Sequence, residues 1–214
     1  DMITAKSGKH HWLQEGFATY YEMLAEREVF GDDYFYYKLY KNANAIKNAA
    51  KSDTIPVMNE KASSLSYYEK GAWALHVIRE TIGEKKFDKA VKVYLKKNKF
   101  KNVETDDFLA EIKKVSDFDV ENFKRKWLLD YHYQADDVNR FLNKSEFIKQ
   151  LVEIQKLSSK PFSEKKEMFL QLISSDVYYP IKVEILYQIS SVSFEDKKRL
   201  IESAMQSKSI EVRQ

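Results

Sequence analysis

The chain has 214 residues, 43% hydrophobic and 14% aromatic, which excludes general disorder and allows one large domain or two small ones. Lys and Arg number 36 against 33 Asp and Glu, and a net charge of +3 is too balanced for nucleic acid to be the main partner. The absence of Cys excludes disulfide scaffolds, Cys-ligated zinc and Cys nucleophiles but leaves the compartment open, and no apolar run approaches the ~18–20 residues of a transmembrane helix.

Gly and Pro are scarce, at 5 and 3, so an all-α chain is expected. Trp12 to Phe30 reads as a helix with an apolar stripe of Leu13, Phe17, Tyr20 and Leu24, ended by Gly31. A tyrosine-rich helix follows from Asp33 to about Ala50, then a loop to Leu65 containing Pro56. Ser66 and Glu69 match an S-x-x-E capping box at the start of a third helix, which Gly83 closes. Glu84 to Asn98 is a lysine-rich helix. From Lys85 to Lys101 eight Lys stand against one acid, Asp88, a pattern that fits a solvated helix face. Thr105-Asp106-Asp107 opens a fifth helix, and Asp119 to about Asp130 forms a sixth.

Residues 131–144 read as a polar connector. Beyond them, Leu157-Ser158-Ser159, Ile173-Ser174-Ser175 and Ile189-Ser190-Ser191 recur at steps of 16 residues, each closing an amphipathic helix, with Met205-Gln206-Ser207 a weaker echo. Pro180 stands at a tolerated first helical position. One helix per step gives stacked helical hairpins over 145–214; the alternative is an ordinary bundle with a chance serine echo. The opening Asp1-Met2-Ile3-Thr4 is neither a natural translation start nor a signal peptide, and Ile210 to Gln214 reads as a helix opening, so a piece cut at both ends is expected.

On the first helix, Glu15 points away from the apolar stripe, on a face with Ala18, Thr19 and Glu22. A single Glu on a helix is ordinarily a solvated charge, and spacing alone leaves it so. His10 and His11 are adjacent and diverge on any regular element, which suits surface or substrate-side contacts better than a metal site. His76 reads as a buried, hydrogen-bonded core residue, and His132 has no evident partner.

The string Trp12-Leu13-Gln14-Glu15-Gly16-Phe17-Ala18 resembles the W-L-N-E-G-F-A signature of the aminopeptidase N family of zinc metallopeptidases, to which leukotriene hydrolase also belongs. Downstream, Tyr68-Glu69-Lys70-Gly71-Ala72 resembles the family's Y-E-K-G-A string. The likeness runs over about residues 1–128, through Gly83-Glu84, Phe87, Tyr94, Thr105 to Phe108, Phe123 and Trp127. It implies that Glu15 is the third ligand of one Zn²⁺ ion, whose two His ligands belong to an H-E-x-x-H helix upstream of Asp1. It implies that Tyr68 donates a hydrogen bond to the reaction's oxyanion, a role that a place in the first helical turn would suit; Tyr67 is the neighbouring alternative, out of register. Gln14 replaces the usual Asn, in a supporting position around Glu15.

The resemblance thus implies a fold class: residues 1–130 as the helical half of a thermolysin-like catalytic domain, then HEAT- or armadillo-like repeats over 145–214. It implies a parent aminopeptidase acting on peptide substrates, with this chain inactive alone for want of the two imidazoles. The alternative is a non-catalytic helical scaffold or pseudo-peptidase.

Overall fold

The computed structural model describes residues 2–214, which divide into two units, residues 2–144 and 145–214. Among the described residues no helix is long and apolar enough to cross a membrane.

In the first unit, α1 (Trp12–Phe30) and α2 (Asp32–Ala49) meet at Gly31. There φ is +87°, a conformation that only glycine adopts without strain, and its N–H closes α1 on the Arg27 carbonyl at 2.8 Å. Gly83, also at +87°, does the same between α3 (Gly71–Ile82) and α4 (Glu84–Asn98). The buried face of α1 is Trp12, Gly16, Tyr20 and Met23, with Leu13 beside it. It is displaced from the expected stripe: Phe17 and Leu24 are only half-buried. The line of closest packing runs through Gly16, which has no side chain and so leaves no mark in a hydrophobic pattern.

The third helical segment departs from expectation at its start. Helix begins at residue 64, and Ser63 is its cap: the Ser66 N–H donates to Ser63 Oγ at 3.3 Å, and Ser63 Oγ donates to Asp53 at 2.8 Å. The Ser66–Glu69 capping box does not form, because Ser66 already lies inside the helix and is buried. Residues Ser66–Lys70 then widen into a π-helical turn that runs into α3. Such turns inside helices are rare and often mark functional positions.

α5 (Thr105–Val115) starts in a capping box of Glu104 and Asp107. It is held against the start of α1, since the Thr105 N–H donates to His10 Nδ1 at 3.0 Å and the Trp12 indole donates to Thr105 Oγ1 at 3.0 Å. Among the described residues a two-residue parallel pair, β1 (Thr4–Ala5) with β2 (Asn102–Val103), is the one addition to the all-helical expectation, too short to carry any periodicity. Asp119 caps α6 (Val120–Phe123), and a second π-helical turn, Lys124–Leu128, stacks Trp127 on Trp73 at 6.4 Å. The stretch expected as a connector contains α7 (Ala135–Leu142), whose Val138, Phe141 and Leu142 are buried. Its three apolar residues make a single amphipathic turn, below the length that periodicity resolves.

The second unit comprises α8 (Glu146–Lys156), α9 (Phe162–Ser174), α10 (Tyr179–Gln188), α11 (Phe194–Met205) and α12 (Ile210–Arg213). Helices two apart pack on one another: α8 on α10, α9 on α11 and α10 on α12. Phe147, Leu151, Phe169, Ile185 and Leu200 fill the interior. The buried Lys165 ammonium is satisfied there by the Leu157 carbonyl at 2.8 Å and Gln188 Oε1 at 3.0 Å.

Candidate active site

α1 crosses the first residue of α3, directly after the π-helical turn, at Gly16 and Gly71, backbone against backbone. That crossing brings Glu15, next to Gly16, to Tyr68, three residues before Gly71. The Tyr68 hydroxyl ionises above its ordinary value, first because of its hydrogen-bonding interaction with the Glu15 carboxylate, then because of partial burial and that carboxylate's charge. Tyr68 is 40% exposed and the Glu15 side chain 23%. Both groups are therefore accessible to a ligand while in contact with each other. Tyr68 lies on the π turn of a helix that begins at residue 64, not in the first turn, so the helix dipole has little hold on it.

Tyr67, the other tyrosine of the pair, is occupied elsewhere. Its hydroxyl donates to the Asn59 carbonyl at 2.7 Å, and its ring meets the His11 ring edge-on with centroids 5.2 Å apart. His11 Nε2 in turn stands 3.2 Å from Glu15 Oε1. The two adjacent histidines do diverge: His10 turns to the start of α5, its Nδ1 accepting the Thr105 N–H. Desolvation in that position lowers the His10 pKa. Gln14 ties the first turn of α1 to β1, its Oε1 accepting the Ala5 N–H at 2.8 Å.

Lys70 ends the π turn. It is buried, and its ammonium donates to the Asp130 carbonyl at 2.8 Å, pinning the turn to the segment after α6. Burial pushes its pKa down to about 8, against the pull of Asp130 and Asp53. Behind α1, His76 is fully buried, with Nδ1 3.0 Å from the Tyr20 hydroxyl. Burial drives its pKa to about 3, so it is a neutral core residue. His132 pairs with Asp130 at 2.6 Å on the surface.

On the side of α1 away from Tyr20 lies a mostly apolar cavity of about 610 Å³, bounded by Leu13, Glu15, Phe17, Ala18 and Tyr21 of α1 and Val91 of α4. Glu15 is its acidic member on α1. A half-buried carboxylate beside apolar surface is a donor that suits Zn²⁺, but it is one ligand of the three a catalytic zinc needs. Among the described residues no group of three or more His, Cys, Asp or Glu is placed to hold a metal ion.

Sequence reasoning singled out Glu15, Tyr68 and Gln14 and missed three partners. His11 was legible from its one-turn spacing to Glu15. The Gly16–Gly71 contact and the burial of Lys70 carry no sequence signal.

The profile of the Peptidase family M1 domain matches residues 1–127. Aminopeptidase M1-D of Oryza sativa subsp. japonica is 30% identical over 136 residues, 59% of this chain and 16% of that protein. Endoplasmic reticulum aminopeptidase 2 of Homo sapiens is 28% identical over 121 residues, 52% of this chain and 13% of that protein. A solved two-domain M1 zinc metallopeptidase mutant bound to L-tryptophan aligns with 28% identity and a TM-score of 0.49, covering 59% of this chain and 29% of that one. The chain therefore spans about one-sixth or less of the length of these two curated relatives. With the family profile covering more than half of its residues, the chain belongs to peptidase family M1.

Proposed function

We propose that this chain is part of a zinc-dependent aminopeptidase that hydrolyses N-terminal residues from peptides, with Glu15 as a zinc ligand and Tyr68 as the donor to the oxyanion. The observation that carries this reading is the meeting of Glu15 and Tyr68, from separate helices, over the Gly16–Gly71 crossing.

Glu15 would supply one carboxylate ligand. The two imidazole ligands and the general base belong to an H-E-x-x-H segment that these 214 residues do not contain. When bound, zinc supplies Lewis acidity and lowers the pKa of a coordinated water. Tyr68 supports the same chemistry from the protein side. A tyrosine hydroxyl is protonated at neutral pH, so it can donate to the negative oxygen that forms on the scissile carbonyl. Gln14 would act one step removed, fixing the first turn of α1 through Ala5.

In this reading residues 1–130 form the helical part of a thermolysin-like catalytic domain, 131–144 lead out of it, and 145–214 begin a domain of HEAT-like repeats. Supporting the last point, α8, α9, α10 and α11 end near the 16-residue echoes, and alternate helices pack together.

The test is Tyr68→Phe in the full-length protein, assayed on an aminoacyl anilide. The expected result is a fall in kcat of about 10²–10³ with KM and zinc content little changed. Unchanged kcat removes the role of Tyr68. A wild-type protein that takes up zinc but cleaves no peptide favours the pseudo-peptidase scaffold instead.

A further inference from the structure

Glu15 has a second polar neighbour besides Tyr68. His11 precedes it by one helical turn, and His11 Nε2 lies 3.2 Å from Glu15 Oε1. An ionised carboxylate can only accept, so a proton between the two belongs to Nε2. The ring is also braced from behind. Tyr67 meets it at 5.2 Å and 76°, and Tyr67 is anchored by its hydroxyl on the Asn59 carbonyl at 2.7 Å. One π-helical turn therefore offers two adjacent tyrosines to α1: Tyr67 backs His11, and Tyr68 contacts Glu15. His10 takes no part, since its Nδ1 is committed to the Thr105 N–H.

A long carboxylate arm turns freely unless something engages it. Tyr68 alone leaves the carboxyl group free to rotate about that contact, whereas engagement from a second direction fixes its plane. Carboxylates that bind metal ions are generally held in this way by donors that do not themselves touch the metal. An ordinary exposed pair at this spacing needs no backing ring. Here the Glu15 side chain is 23% exposed and the His11 side chain 41%, with Tyr67 and its anchor behind.

We propose that His11 is a positioning residue for Glu15, its imidazole engaging Oε1 and setting the orientation in which the carboxylate is offered to a metal ion, with Tyr67 holding the imidazole. This rests on the reading of Glu15 as a zinc ligand. Glu15 itself lines the apolar cavity, so the orientation of its carboxylate matters where a substrate and a metal would meet.

Two measurements test it. In the 214-residue chain at a fixed pH of about 8, long-range ¹H–¹⁵N correlation of the His11 ring should show the Nε2–H tautomer with an observable ring N–H proton. That proton should be lost in Glu15→Ala and in Tyr67→Ala and retained in Glu15→Gln. A freely exchanging ring that Glu15→Ala leaves unchanged overturns the proposal. In the full-length protein, zinc affinity measured by competition with a chelating dye should fall about 10- to 100-fold in His11→Phe and recover largely in His11→Gln, which restores a donor. If Glu15→Ala removes zinc while His11→Phe stays within twofold of wild type, the role of His11 falls and the zinc reading stands. If Glu15→Ala leaves zinc affinity intact, the zinc reading itself falls.

Discussion

Gly16 and Gly71 touch backbone to backbone: a Cβ placed on Gly16 would lie 2.9 Å from the Gly71 carbonyl carbon, and one on Gly71 would lie 3.1 Å from Gly16 Cα. Neither glycine is there for its backbone angles. Each is there for space, and the atoms in the way are main chain that no rotamer change can move. Gly16→Ala should therefore force α1 and the start of α3 apart, at a cost of about 1–3 kcal/mol typical of overpacking. Urea unfolding of Gly16→Ala beside Ala18→Ser, an exposed change on the same helix, checks this. A midpoint for Gly16→Ala equal to wild type would show that the contact is slack.

Lys70 gives the fold a pH dependence. Its folded pKa, about 8, is below the ordinary 10.5 of the unfolded chain. Below pH 8 it is protonated in both states and the burial penalty is complete. Between pH 8 and 10.5 the unfolded chain binds more protons, so stability rises with pH, by an amount on the order of 3 kcal/mol. The Lys70→Met variant should lose that rise, read as the difference in unfolding free energy between pH 7.5 and pH 10. A rise that persists undiminished in Lys70→Met assigns it to other groups.

His76 acts at the other end of the scale. Its folded pKa, about 3, is below the ordinary 6.5. As pH falls through 6.5 the unfolded chain takes up a proton that the folded chain refuses, and stability is lost progressively towards pH 3, by several kcal/mol on the order given by such shifts. His76→Phe would flatten that acid limb, while losing the contact with the Tyr20 hydroxyl. An unchanged acid limb in His76→Phe would place the acid sensitivity elsewhere.

The helix framework was legible because long amphipathic segments have clear ends. Trp12–Phe30 and Glu84–Asn98 appear at the expected residues, with Gly31 and Gly83 as stops. What sequence did not show follows a physical pattern. The capping box at Ser66 was a valid string in the wrong place, since Ser63 had already started the helix a turn earlier. α7 was too short for periodicity, and the π-helical turns have no residue signature. In the candidate site, Glu15 and Tyr68 stood out through their surrounding strings, not through chemistry visible in isolation. Gly71 entered only as part of such a string, although its packing on Gly16 brings the two side chains together.

The chain by itself carries a single carboxylate at the proposed metal position, and calorimetric titration with Zn²⁺ should find no sub-micromolar 1:1 binding. Sub-micromolar binding abolished by Glu15→Ala would mean that these residues hold the metal without the upstream imidazoles.

The most direct measurement is the zinc content of the full-length protein and of its Glu15→Gln variant after extensive dialysis, with circular dichroism to confirm that both are folded. The expected result is about one zinc per chain in the wild type and little or none in the variant, because the amide offers a weaker donor in place of an anionic ligand. Equal zinc in both folded proteins, with peptidase activity retained, would contradict the assignment of Glu15 as a ligand and with it the proposed site.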